Sequence, residues 1–133
     1  MTTKLSHYAG QTIVSGPAVR EAVQTVMQGH VGATKGILKE ELFKYVFGHK
    51  QKDNDLADYF RGVQLAYALS HLRSHSHCFI VSRRTEAGFE YFVVKTHADA
   101  EYYHKATNFR IKAARQMMKR CDKAVKEQWW KEL

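Results

Sequence analysis

The chain has 133 residues, of which 44% are apolar, and its 21 basic and 13 acidic side chains leave a formal net charge of +8. This length fits one domain with a single core, and the charge makes a polyanion the expected partner, nucleic acid ahead of an anionic membrane. No run of about 18 apolar residues occurs, which excludes a membrane span. Two cysteines are too few to stabilise such a domain by disulfide bonds, which indicates a reducing, cytoplasmic location.

The first predicted helix begins after a segment without clear periodicity. Residues 1–14 show no strong apolar pattern and are expected to be poorly ordered. They also lack the charged segment followed by an apolar segment that is typical of a secretory signal. Ser15 can then cap a helix whose first turn tolerates Pro17. Apolar residues recur at helical spacing and predict a helix over about 17–28, after which Val31 lies among glycines as a candidate bridge strand.

A second amphipathic helix is predicted over 38–47. Gly48 follows at the position where a left-handed residue usually ends a helix. The polar, basic segment 49–54 then forms a turn, and either Asp53 or Asn54 could cap the helix that comes next.

The third predicted helix covers about 54–74 and carries a regular apolar stripe. Leu65, Leu69 and Leu72 fall at i, i+4 and i+7, so they face the core and leave the opposite side to solvent. Either Gly62 breaks this helix into two pieces or one long helix crosses the domain. The positions turned wholly or partly outward are Arg61, Gln64, Tyr67, Ala68 and His71.

Two runs rich in β-branched and aromatic residues follow this helix. Residues 78–84 and 89–96 flank Thr85-Glu86-Ala87-Gly88, which predicts a hairpin with glycine at a left-handed position. From about His97 to Glu132 the chain reads as helix, either continuous or restarted by a cap near Thr107-Asn108.

The helix and hairpin together resemble the winged-helix family, where an Ala-Leu-x-x-Leu string closes the recognition helix and an apolar pair opens the wing. The matching residues here are Ala68, Leu69, Leu72, Phe79 and Ile80. The resemblance covers roughly half of the chain and implies an α+β, mostly helical fold. It implies a winged helix-turn-helix over 15–97 with a two- or three-stranded wing sheet. The remaining segment, 98–133, is predicted from its own apolar seam and basic charge to be a long helix for dimerisation or docking.

The resemblance implies binding of double-stranded DNA, since such folds place the third helix in the major groove and the hairpin on the adjacent backbone. A transcriptional regulator or an accessory replication factor that acts by occupying its site, as a homodimer, is the expected function. The candidate DNA-contacting residues are Lys50, Lys52, Arg61, Gln64, Tyr67, His71, Arg73, Arg83, Arg84, Lys95, Lys112 and Lys119. Arg83 and Arg84 lie in the first strand of the predicted hairpin, or wing. The alternative role for them is to form a solvated, charged edge that discourages pairing with the sheet of another molecule.

The last helix holds most of the charge imbalance. Residues 105–126 contain eight basic side chains against Asp122 alone. The lysines that repeat every seven residues are Lys105, Lys112, Lys119 and Lys126, and the apolar seam for a dimer or partner contact is Ile111, Ala114, Met118, Cys121, Val125 and Trp129. Such a helix would follow a phosphate backbone, flank a dimer contact or simply form a solvated face. Packing of Trp129 and Trp130 on their own domain is preferred over a partner contact.

Other chemistries find less support in the sequence. His71, His75, His77 and Cys78 match no established zinc spacing, so histidines at a helix end are preferred over a metal site. Cys78 and Cys121 are expected to be small core residues. No Gly-rich phosphate loop, nucleophile elbow or HExxH motif occurs, so neither an enzyme nor a cofactor is predicted.

Two further functional classes remain open. A protein-interaction module that inhibits a partner protein would show an apolar patch around Met117, Trp129 and Trp130 and indifference to duplex DNA. An RNA-binding protein would use exposed aromatics such as Tyr102 and Tyr103 to stack on unpaired bases.

Overall fold

A computed structural model describes residues 15–133, so the expectation for residues 1–14 lies outside the described residues. The elements in chain order are helix α1 (Gly16–Met27), strand β1 (Ile37–Leu38), helices α2 (Lys39–Phe47) and α3 (Leu56–His75), strands β2 (Ile80–Thr85) and β3 (Gly88–Val93), and helix α4 (His97–Lys126). Short 3₁₀ turns lie at Ala33–Lys35 and Trp129–Glu132. The predicted α+β, mostly helical class is confirmed.

The ends of α1 and α2 are those that the sequence predicts. The Ser15 hydroxyl accepts a hydrogen bond from the Ala18 N–H at 3.3 Å, and Pro17 lies in the first turn. Gly48 ends α2 with φ 85°, a left-handed conformation that glycine adopts without a Cβ penalty. Its N–H donates to the Lys44 carbonyl at 2.8 Å.

Helix α3 differs from the prediction at its start and agrees in its interior. The expected cap at Asp53 or Asn54 is wrong: the Asp55 carboxylate accepts from the Asp58 N–H at 3.0 Å, while Asn54 takes a left-handed turn conformation with φ 57°. The helix continues through Gly62 without a break.

The three strands form one antiparallel sheet in the order β1-β3-β2. The hairpin pairs from Ile80 with Val93 down to Thr85 with Gly88, where glycine adopts φ 116°. The short β1 lies on the other side of β3, and Val31 adds the expected bridge to Val93. The sheet therefore has three strands, with β3 in the middle.

The core lies between α1, α2, α3 and one face of the sheet. Helix α1 packs mainly against α3, and α2 also packs against both helices. The predicted leucine stripe of α3 is confirmed, since all three leucines are buried. The largest buried apolar side chains are Val19, Val23, Met27, Leu42, Phe43, Val46, Phe47, Leu65, Ile80, Val81 and Phe92.

Helices α1 to α3 and the sheet together form what we call the body of the protein. Helix α4 contacts this body only near its beginning. Thr96 and Asp99 form a capping box at its start, and Tyr102 and Tyr103 pack edge-on against Phe92 and Phe79 of the hairpin side, at 5.6 Å and 5.2 Å between ring centroids. The helix then runs without a break through 107–108, and every residue from 108 to 123 is exposed.

This protrusion overturns two expectations about the C-terminal region. Cys121 is exposed and is not a core residue, whereas Cys78 is half-buried and packs against the core. Trp130 is 64% exposed, and Trp129 is half-buried beneath the Arg120 guanidinium rather than in the domain core. Among the described helices, none is long and apolar enough to cross a membrane.

Candidate nucleic-acid interface

Helix α4 carries an exposed basic surface along most of its length. Its four lysines at seven-residue spacing are all exposed, and a step of seven residues is close to two helical turns, so they form one stripe. Other cations of the helix have local partners. Lys123 Nζ lies 3.8 Å from Glu127 Oε2, and the Arg120 guanidinium lies 4.7 Å from the centroid of the Trp129 ring.

The two wing arginines have different environments. Arg83 is half-buried: its Nε donates to Glu90 Oε1 at 2.9 Å, and its guanidinium reaches the Ala33 carbonyl and lies over the Phe92 and Tyr102 rings. Burial would lower the pKa of Arg83, but Glu90 and Tyr102 raise it. Arg84 is exposed on the hairpin, so it is the wing arginine that solvent reaches.

Arg73 joins three elements from the inside. Its Nε donates to the Ile80 carbonyl at 2.8 Å, and its guanidinium lies 6.0 Å from the Phe79 ring and 5.6 Å from the Tyr103 ring. The side chain therefore fastens the end of α3 to β2 and to the first turns of α4. It is half-buried, and these contacts compete with a phosphate for its donors.

A buried ionic cluster holds the other arginine of α3. Asp58 is fully buried and accepts hydrogen bonds from Arg61 at 2.5 Å, from His49 Nε2 at 2.9 Å and from the Lys52 backbone N–H at 2.7 Å. Burial by itself would raise the pKa of Asp58, but these hydrogen bonds lower it to about 2. The cluster ties the loop before α3 to the helix.

The expectation that Arg61 and Ala68 turn outward is therefore wrong. Arg61 is only 6% exposed and Ala68 only 3%, because both lie on the side of α3 that packs into the body. Gln64 is half-buried, and its amide oxygen is shielded from solvent. The signal that could have placed Arg61 is its i,i+3 spacing from Asp58, a common ion-pair spacing on a helix.

The exposed face of α3 is aromatic rather than basic. Leu56, Tyr59, Phe60 and Tyr67 are 70%, 64%, 49% and 74% exposed. Of these four residues only Tyr67 is predicted from the sequence to face outward, because apolar residues at the start of a helix are usually part of the core. This face continues through Ser70 and Ser74, both exposed.

His71 continues the same surface towards the end of α3. Its ring packs on His75 with 4.6 Å between centroids. Desolvation of the ring, followed by repulsion from Arg20 and His75, lowers the pKa of His71. Among the described residues, no group of three or more His, Cys, Asp or Glu side chains is arranged to hold a metal ion.

The remaining loop lysines are accessible. Lys50 Nζ lies 3.8 Å from Glu40 in an exposed pair, and the Lys52 side chain is exposed although its N–H binds Asp58. Lys95 is also exposed, and its N–H donates to the buried Asp99 at 3.0 Å. Burial would raise the pKa of Asp99, but hydrogen bonds from Lys95, Ala33 and Thr96 lower it.

The structure thus divides the predicted DNA-contacting residues into two groups. Those that solvent reaches are Lys50, Lys52, Tyr67, His71, Arg84, Lys95, Lys112 and Lys119, and those engaged or partly enclosed inside the body are Arg61, Gln64, Arg73 and Arg83. The predicted seam residues Ile111, Ala114, Met118, Cys121 and Val125 are all exposed. Comparison of the chain with protein-family models, curated proteins and solved structures found no match.

Proposed function

We propose that the protein binds double-stranded DNA and that α4 supplies most of the affinity through contacts with phosphates. The observation that carries this proposal is the exposure of every residue from 108 to 123, a stretch with six basic side chains and one acidic one. A solvated surface with so strong an excess of one sign repels itself and attracts a polyanion, and counterion release favours nucleic acid.

The order of the elements supports a winged helix as the scaffold for this function. A helix, a short strand, two helices and a hairpin follow one another, and β1 pairs with β3 as the third strand of the wing sheet. In such a scaffold α3 would lie in the major groove and the hairpin beside it, with Arg84 and Lys95 near the backbone.

The distribution of arginines favours binding with little sequence preference. Arginine is the side chain that most often reads guanine, yet both arginines of α3 are held by contacts inside the body. The exposed side of α3 offers Tyr67, Ser70 and His71 for base edges. A protein that binds DNA with little sequence preference could act as an accessory replication factor at least as well as a transcriptional regulator.

Salt-dependent binding tests this proposal. The variant Lys112→Ala/Lys119→Ala should bind a random duplex more weakly and should lower the slope of log Kobs against log salt by about two, since each phosphate contact contributes roughly one. Fluorescence anisotropy at several salt concentrations measures both quantities. Lys39→Ala/Lys44→Ala removes the same charge from exposed positions of α2 and should leave the slope nearly unchanged. Equal slopes for all three proteins would contradict the role of α4, and undetectable binding by the native chain would overturn the proposal.

A protein-interaction module is the second candidate, and the aromatic face of α3 favours it. Tyr59 and Phe60 pack edge-on at 5.8 Å between ring centroids and remain exposed together with Leu56. Clustered apolar side chains of this kind mark protein-binding surfaces. Indifference to duplex DNA at low salt would favour this candidate. RNA recognition through Tyr102 and Tyr103 has less support, because both rings pack against the hairpin side of the body.

A further inference from the structure

The apolar seam of α4 has the spacing of a coiled coil. Ile111, Ala114, Met118, Cys121 and Val125 follow one another at steps of three, four, three and four residues. These are a and d positions of successive heptads, which face a partner helix when two helices pair. Ile111, Met118 and Val125 are 43%, 60% and 72% exposed, so the seam is not covered by the described body.

The residues that flank the seam include the one acidic side chain of the segment. With Ile111 at position a, Arg115 and Asp122 occupy e positions, and Arg110 and Met117 occupy g positions. The lysines of the stripe occupy b positions, farther from the seam. The flanking charges are therefore of both signs, unlike those of the stripe.

These flanking residues distinguish the two possible directions of a paired helix. In a parallel pair each g residue meets the e residue five positions later on the other chain, which would set Arg110 against Arg115. In an antiparallel pair e residues meet e residues, and a register with Met118 opposite Cys121 sets Arg115 against Asp122 twice. The antiparallel arrangement therefore replaces the repulsion between two arginines by an attraction between Arg115 and Asp122. It also places Met117 opposite Ala124 beside the seam.

We propose that α4 pairs with α4 of a second copy of this chain in antiparallel direction, centred between Lys119 and Arg120, with Arg115 of each helix opposite Asp122 of the other. The stripe of lysines then remains on the outer side of both helices. Helix rise places the two bodies at opposite ends, with roughly 50 Å between their tyrosine anchors. The seam from Ile111 to Val125 spans only about two heptads and includes the small residues Ala114 and Cys121, so micromolar association is expected.

Charge exchange in the full-length chain tests both the partner and its direction. Sedimentation equilibrium should show that Arg115→Glu weakens self-association about tenfold, because it sets a new carboxylate against Asp122 at both ends of the paired segment. The double exchange Arg115→Glu/Asp122→Arg should restore association to about the native level, since it reverses each pair without breaking it. Lys112→Glu makes the same charge change at an outer position and should have little effect.

Other outcomes would overturn the proposal. A monomer for the native chain at concentrations well above micromolar would exclude the second copy as partner. Stronger association of Arg115→Glu would indicate the parallel arrangement, in which the introduced carboxylate meets Arg110. Failure of the double exchange to restore association, with native far-ultraviolet circular dichroism, would also contradict the assigned register. The inference does not rest on DNA binding: a monomeric protein that binds duplex DNA would overturn the pairing alone.

Discussion

Two buried carboxylates hold the loops of this protein in place. Asp58 collects donors from the loop before α3, and Asp99 collects the N–H groups of Ala33, Lys95 and Thr96 at 3.0–3.2 Å. A carboxylate that accepts several N–H bonds prefers its ionised form even when it is buried. Each of these side chains therefore joins segments that are distant in the sequence or irregular in conformation.

The depressed pKa of Asp58 predicts a loss of stability in acid. The pKa is 3.8 for a free side chain and about 2 in the folded protein, so the ionised group stabilises the fold above about pH 4 and this contribution is lost as the pH falls towards 2. About 2 kcal/mol of unfolding free energy should disappear between pH 5 and pH 2 from this group alone. Urea unfolding at the two pH values measures it.

The variants Asp58→Asn and Glu86→Gln separate the contribution of Asp58 to acid sensitivity from that of other carboxylates. Asp58→Asn should be less stable at pH 5 and should lose about 2 kcal/mol less on acidification than the native chain. Glu86→Gln alters an exposed carboxylate at the hairpin turn and should keep the native pH dependence. An unchanged acid response in Asp58→Asn would contradict the role of the cluster.

At the scale of elements, the start of α4 decides whether the long helix is joined to the sheet. Thr96 Oγ1 accepts from the Asp99 N–H at 3.1 Å, and the Asp99 carboxylate accepts from the Thr96 N–H at 3.1 Å. The two tyrosines then pack one turn later against the hairpin side. Capping and aromatic packing together hold a helix whose remaining length is solvated.

Removal of the cap should loosen this junction. Thr96→Ala should lower the unfolding free energy by about 1 kcal/mol, because it leaves helix N–H groups without their side-chain acceptor. Thermal or urea unfolding measures the change. Thr34→Ala alters an exposed threonine in the neighbouring 3₁₀ turn and should change stability much less. Equal effects of the two substitutions would contradict the importance of the capping box.

At the scale of the whole molecule, a folded body carries a long solvated arm. The described core lies within residues 19–92, and the exposed part of α4 contributes little to it. Truncation after Thr107 should therefore change the unfolding free energy of the body by less than about 1 kcal/mol, and it should reduce DNA affinity strongly. Truncation after Val94 removes the capping box and the tyrosine anchors as well, and should destabilise the body. If the chain truncated after Thr107 failed to fold, the conclusion that the body folds without the exposed part of α4 would be wrong.

The sequence by itself determined the features that depend on neighbours along the chain. Periodic apolar residues predicted the helices and the leucine stripe of α3, Gly48 predicted the end of α2, and the β-rich runs predicted the hairpin. The excess of basic residues on the last helix was also evident, because helical periodicity and charge can be read within one segment.

Only the tertiary structure decided which cations reach solvent. Arg83 and Arg84 are adjacent and equivalent in the sequence, yet one is enclosed by Glu90 and by the carbonyl of Ala33, 50 residues away, while the other is exposed. The fold likewise carried α4 away from the body and left its seam uncovered by the described residues. The accessibility of a charge depends on acceptors and rings brought together from distant segments, and local periodicity contains no information about them.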